Sequence, residues 1–473
     1  VVTEQRKIQH LYWRAGFGPS YSIFEKGNKL SVKAEVEKLF KDSKETIPLN
    51  ADLAHLPGKA EVRQMKTMEE RKEVKRMNNR LIIDLNNSLL KRFAGDKQIL
   101  REKMTFFWSG HFACRVNNIR YADSLSNTIR EHALGNFGQL LAAVSKEPAM
   151  LQFLNNRENR KQHPNENFAR EVMELFTLGR GHYTEKDVKE GARAFTGWSF
   201  GGAGVFAFYE RLHDADSKTF LGETGNFDGD DALKIILKQK QCARFIAAKV
   251  YKFFVNDEPD EKIISTLADS FYDSGYDIEK LMHQIFTSGW FYDEKNIGVK
   301  IKSPVELLAG MMKSFDLKFA DDRALLFYQR VLGQVMFEPP NVSGWPGGKN
   351  WIDNSTLMVR LFLAKRLLTG ALVDMQPKEE YDMQVINMEK MDLHAYRQNV
   401  KMLPLADWSG LLDTLAGIPA DKLNDTLVSL FIQTDPKKID TSLLDKYNDS
   451  ADETERIKNK AVQVLGLPEY QLC

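Results

Sequence analysis

The densest run of chemically capable side chains lies between Asn165 and Gly179. Placed at the helical repeat of about 100° per residue, Phe168, Ala169, Val172, Met173, Leu175 and Phe176 fall on one arc, and Asn167, Arg170, Glu171 and Glu174 gather on the other. Glu171 and Glu174, at i,i+3, suit a shared proton or a bound cation, and Glu166, Arg170 and Glu174 form an i,i+4 ladder able to hold them in place. The same spacing also describes an exposed helix laced with ion pairs.

Three further groups carry chemistry-bearing types. His111 follows an aromatic segment in Trp108-Ser109-Gly110-His111-Phe112, where a histidine serves either as a general base or metal ligand or as a satisfied core residue. His213, Asp214, Asp216 and Lys218 crowd a predicted loop, the kind of segment on which function concentrates. Nearby Asp228 or Asp230 reads as a helix N-cap, since the acidic residues there do not follow the calcium-loop pattern. The Pro/Gly loop Phe337–Trp351 presents Trp345 and Trp351 with Asn341 and Asn350 beside them, a combination suited to stacking on a sugar ring and bonding its hydroxyls, or equally to indoles pinned in a core. A P-loop, an HExxH zinc motif, a GxSxG elbow and a dinucleotide fingerprint are all absent.

The elements that must position these groups read as helices. Apolar residues recur at helical spacing in Arg244–Val255, Glu131–Val144 and Leu357–Leu368. Ser303 and Glu306 form a capping box with Pro304 at the first helical position, and Thr184 with Asp187 form a second, ahead of Val188, Ala192, Phe195 and Trp198 on one face. Charged residues between Gly58 and Arg92 read as a solvated helix face. The glycine-rich stretches Phe200–Phe206 and Leu221–Asp231 predict loops or a short β excursion. The expected fold is therefore mainly α, multi-helical with long irregular loops, divided into a main helical domain over 1–372 and a helical extension over 373–473 packed on it. Val373–Leu393 reads as the connection to a last helical part, Ala395–Cys473.

Composition narrows the function. The 473 residues are 43% apolar and 28% charged, enough to bury a large core, and 66 basic against 65 acidic residues leave a formal charge of +1, which disfavours a nucleic-acid partner. No apolar run approaches the roughly 20 residues of a membrane span. Cys114, Cys242 and Cys473 have neither disulfide nor zinc spacing and read as free thiols.

In this order, His10-Leu11-Tyr12-Trp13-Arg14-Ala15-Gly16-Phe17-Gly18, Arg101-Glu102-Lys103-Met104 with Trp108 and His111-Phe112, the Asn165–Gly179 block, Thr196-Gly197-Trp198, Lys302-Ser303-Pro304-Val305-Glu306 and the Phe337–Trp351 loop make the chain resemble the bacterial domain-of-unknown-function family numbered eighteen hundred. The sequence departs from that pattern at Gly110, where an asparagine is frequent, and at Ala215-Asp216, where a glycine is usual. The resemblance implies a gene neighbourhood shared with sulfatase-like proteins and an exported or periplasmic setting, with no signal peptide visible within the sequence itself. The resulting expectation is a hydrolase of a glycan or related envelope polymer. Its catalytic residues would be His111, Glu171, Glu174, His213 and Asp214, and its substrate contacts Arg170, Lys218, Trp345, Trp351 and Asn341. A divalent metal on Glu171, Glu174 and His213 is the candidate cofactor. The alternative is a non-catalytic binding or assembly partner of a sulfatase-like protein.

Overall fold

Helix starts are written into the sequence as side-chain caps, and the computed structural model places them there. It describes residues 2–26, 30–202, 204–321, 323–371, 402–445 and 452–473. Ser303 and Glu306 close a capping box on the helix Pro304–Phe315, Thr184 and Asp187 another on Glu185–Ala194, and Asp228 caps Gly229–Lys238. The fold is mainly helical, with only two-stranded ribbons beside the helices among the described residues. Two ribbons occupy the glycine-rich stretches, pairing Trp198–Phe200 with Phe206–Phe208 and Lys218–Phe220 with Glu223–Gly225. A third, Lys318–Phe319 with Pro404–Leu405, has no counterpart in the expectations.

Two helical expectations are corrected. The segment Glu131–Val144 is not one helix: Ile119–His132 stops, and Phe137–Ser145 begins after Asn136, whose side chain accepts from the Gln139 amide. The Gly135-Asn136 pair is turn chemistry that overrides the apolar period. Trp198 likewise leaves the helical face of Val188 and Ala192, because Gly197 takes φ +81° and turns the chain into a strand.

Burial follows the amphipathic pattern. In the charge-rich region the helix Met68–Ala94 carries exposed pairs such as Lys72–Glu69 and Arg76–Glu73 near its start and buries Ile82, Leu85, Leu89 and Phe93 toward its end. The helix Ile99–His111 is central, with every side chain from Leu100 to Trp108 buried. Its charges are paired or bonded: Glu102 with Arg130 at 3.0 Å, Lys103 with Glu306, and Arg101 with the carbonyls of Ser43 and Arg130.

One continuous apolar cluster runs from Ile8 to Tyr470. Residues 402–445 and 452–473 join it, and the first of these segments bonds to the first helix, Glu4–Arg14: Arg6 donates to the Gln433 carbonyl and Gln9 to that of Ser429. Lys300 and Cys473 exchange backbone hydrogen bonds, and the helix Glu453–Leu465 packs on Asn354–Thr369. The expected 372/373 boundary, the Val373–Leu393 connection and residues 395–401 lie outside the described residues. Among the described residues no helix is long and apolar enough to cross a membrane, and the three cysteines are buried and free.

Candidate functional site

A cleft of about 280 Å³ opens between two helices and a loop. From Ile99–His111 it takes Lys103, Phe106, Phe107, Gly110 and His111, positions i, i+3, i+4, i+7 and i+8, which are one helical face. From Lys240–Phe254 it takes Lys249, Lys252 and Phe253 by the same rule. The Trp345–Trp351 loop closes one wall, and Arg14, Asp257, Lys300, Glu306 and Cys473 contribute to the rest of the lining.

The loop is held in place by its backbone. Arg115 donates to the carbonyls of Pro339 and Pro340, and Val116 donates to that of Phe337. Gly344 takes φ +86° so closely against the helix that a Cβ there would lie 2.7 Å from the Gly110 carbonyl oxygen, so only glycine lets the loop approach. A Cβ on Gly110 itself would meet open space, so a side chain at this position would enter the cleft.

His111 is buried and tied on both ring nitrogens. Nε2 lies 3.1 Å from the Phe176 carbonyl, which can only accept, so Nε2 carries the proton. Nδ1 then faces the Lys249 ammonium at 3.3 Å. Burial and the Lys249 charge push the imidazole well below its usual pKa, which keeps it neutral. Lys249 Nζ also donates to the Leu175 carbonyl at 2.8 Å, and burial followed by the Lys252 charge brings its pKa down to about 8. Both accepting carbonyls belong to the π-helical turn Val172–Thr177, at the end of the helix that begins at Glu166, where backbone acceptors lack partners within the helix.

The two cleft carboxylates are engaged. Glu306 receives Lys103 Nζ at 2.5 Å and the Ser303 amide. Burial alone would raise its pKa, but Lys103 and Ser303 together hold it at about 2. Asp257 receives Lys300 Nζ at 2.6 Å on Oδ1, which leaves Oδ2 outside that bond. Arg14 is buried and donates from Nη2 to the Asn296 carbonyl, while Nε and Nη1 have no partner. Trp345 Nε1 is also buried without one. The cleft can therefore hold an acceptor-rich ligand against aromatic walls, with Lys249 as a proton donor that titrates near neutrality.

Of the ten residues singled out from sequence, His111, Trp345 and Trp351 line this cleft. The structure does not bring the others to it. Glu174 bonds Arg180 and Tyr183 rather than Arg170, which pairs with Glu166 and Glu185, so the ladder is only half formed. Glu171 and Glu174 still sense each other: burial and the Glu174 charge raise the Glu171 pKa, whereas the Arg180 and Tyr183 bonds lower that of Glu174. His213 Nδ1 faces the Thr196 carbonyl, Asp214 takes two bonds from Arg193, and Lys218 Nζ donates to the carbonyls of Asp214 and Asp216. Asn341 is exposed and turns its own loop by accepting from the Ser343 amide. Among the described residues no group of three or more histidine, cysteine or acidic side chains is arranged to hold a metal ion, and Glu171, Glu174 and His213 form no such set.

Sequence reasoning passed over Arg14, Lys103, Lys249, Asp257, Lys300 and Glu306 as site residues. The available signal was charge inside an apolar run, as at Arg14 within Leu11-Tyr12-Trp13-Arg14-Ala15. Residues 10–472 match the family model described as protein of unknown function, DUF1800. No curated protein and no solved structure matches the chain.

Proposed function

The chain belongs to DUF1800, a family whose description assigns no activity, and from that premise we propose that it binds a saccharide of a glycan or related envelope polymer in the Trp345/Trp351 cleft and hydrolyses it. One observation carries the reading: two indoles delivered by a single Pro/Gly loop line the same cavity as the Lys249–His111 pair. Indoles stack on the apolar face of a sugar ring, and the cleft's polar groups orient its hydroxyls. In this reading Lys249 gives its proton to the leaving oxygen as the glycosidic bond breaks, while a water that passes its proton to Asp257 Oδ2 forms the new bond to the anomeric carbon. His111 positions Lys249 by accepting from it.

The test is a titration of tryptophan fluorescence with neutral and acidic oligosaccharides, followed by mass spectrometry of the products. Saturable quenching, at least tenfold weaker binding in Trp345→Ala, and loss of turnover with retained binding in Lys249→Met are expected. If no saccharide binds at millimolar concentration, the reading fails, and the non-catalytic alternative, assembly with a sulfatase-like protein, takes its place.

A second reading has its own support. The pKa values of Glu171 and Glu174 are moved in opposite directions, up by burial and down by the Arg180 bond, the pattern of an acid paired with an ionised partner. In that reading hydrolysis takes place at this helix, outside the tryptophan cleft.

A further inference from the structure

We infer that the cleft contains an oxyanion subsite formed around Arg14, so that its saccharide ligand carries a carboxylate, sulfate or phosphate group; this rests on the saccharide reading above. The first ground is charge. Five basic side chains, Arg14, Lys103, Lys249, Lys252 and Lys300, line the cleft against two acidic ones, Asp257 and Glu306, and both acids are taken up by Lys103 and Lys300. Arg14, Lys249 and Lys252 are left without a carboxylate bonded to them.

The second ground is the direction of unmet hydrogen bonding. The buried, unpartnered side-chain atoms on the cleft lining are Arg14 Nε, Arg14 Nη1 and Trp345 Nε1, and all of them are donors. Arg14 is 2% exposed. A guanidinium removed from water with two of its three nitrogens unbonded is costly unless a ligand supplies acceptors. Burial lowers its pKa against the opposing fields of Cys473, Glu306 and Asp257, and its one hydrogen bond runs to the Asn296 carbonyl. A sugar hydroxyl could accept from these donors, but it would bring no charge to a buried guanidinium that no carboxylate bonds; an oxyanion does both. Lys252, exposed on the rim, adds attraction for an incoming anion.

The experiment follows tryptophan fluorescence and Tm of the full chain with sulfate, phosphate and acetate at constant ionic strength, then with glucose, glucuronate and glucose 6-sulfate. Expected are a saturable response to at least one oxyanion that sodium chloride does not reproduce, at least tenfold tighter binding of one acidic sugar than of glucose, and at least tenfold weakening in Arg14→Lys. Which acid binds identifies the group. Should Arg14→Lys fail to fold, Lys252→Gln serves instead, with a severalfold loss of affinity for the acidic sugar and little for glucose. Glucose binding as tightly as its acidic counterparts, with no competition by the ions, overturns the subsite and leaves the saccharide reading standing. Ions binding while every sugar fails has the opposite meaning.

Discussion

Lys249 Nζ sits 3.3 Å from His111 Nδ1 and 2.8 Å from the Leu175 carbonyl, so one ammonium joins an imidazole to the end of a helix. The ammonium is kept partly charged in a buried site by the negative end of that helix. Because its folded pKa is about 8, the protonated form is present below that value and is lost as pH rises through it. A function that needs this proton should fall about tenfold per pH unit above pH 8. Lys249→Arg, which stays charged but does not give up its proton, should shift that limb upward in a pH profile of binding and abolish turnover. An unchanged alkaline limb in the arginine variant would remove Lys249 from the site's chemistry.

The Lys103–Glu306 pair makes a stability prediction. Removing one partner leaves the other charge buried, so Glu306→Gln should cost about 3–5 kcal/mol, whereas Lys103→Met with Glu306→Leu should recover much of it. With Glu306 held at about 2, its contribution is complete above the ordinary carboxylate pKa and disappears as pH falls through the folded value. Urea unfolding from pH 7 down to pH 3 in wild type and Glu306→Gln would show the difference between them narrowing with acid. A constant difference would mean that packing, not charge, is what the substitution removes.

Glu171 and Glu174 are half-buried on the same turn, and Arg180, the partner of Glu174, is exposed. Surface pairs of this kind contribute about 0–1 kcal/mol. Glu171→Gln and Glu174→Gln should therefore leave Tm within a few degrees of wild type. If either abolishes hydrolysis while saccharide binding in the tryptophan cleft persists, the second functional reading gains the chemistry. Large stability losses in both would assign the pair to structure.

Gly110 and Gly344 face each other with opposite tolerances. Gly110→Asn places its side chain in open space and should leave stability nearly unchanged while altering ligand affinity in the cleft. Gly344→Ala combines a left-handed backbone with a Cβ 2.7 Å from a carbonyl oxygen and should cost about 1–3 kcal/mol. Thermal melts and tryptophan emission spectra distinguish the two: the alanine variant should also shift Trp345 emission as the loop moves away.

Local chemistry was legible in the sequence wherever a side chain bonds within its own turn. Thr184 with Asp187, Ser303 with Glu306, and Asp228 cap the helices expected of them. The apolar arc of Phe168, Ala169, Val172, Met173 and Phe176 is buried as its period implies, whereas Leu175, called with them, is only partly buried on the π-helical turn. What spacing could not convey is convergence across distance. Lys103 meets Glu306 some two hundred positions away, and Arg14 joins a cleft whose other walls come from six separate stretches of chain. The His213–Lys218 group is dense because its members fold onto one another and onto Arg193 and Thr196, so crowding along the chain marked a local knot rather than a shared pocket.

The cleft draws its walls from Arg14 near one extreme of the sequence, from the helices that carry Lys103 and Lys249, and from Trp345. During synthesis the nascent polypeptide thus exposes Arg14 and Lys103 long before Trp345 leaves the ribosome. Ligand capture is withheld until every wall, Cys473 included, has been made, so a fragment released before Trp345 carries cationic and aromatic parts of the binding surface that have nothing to close against.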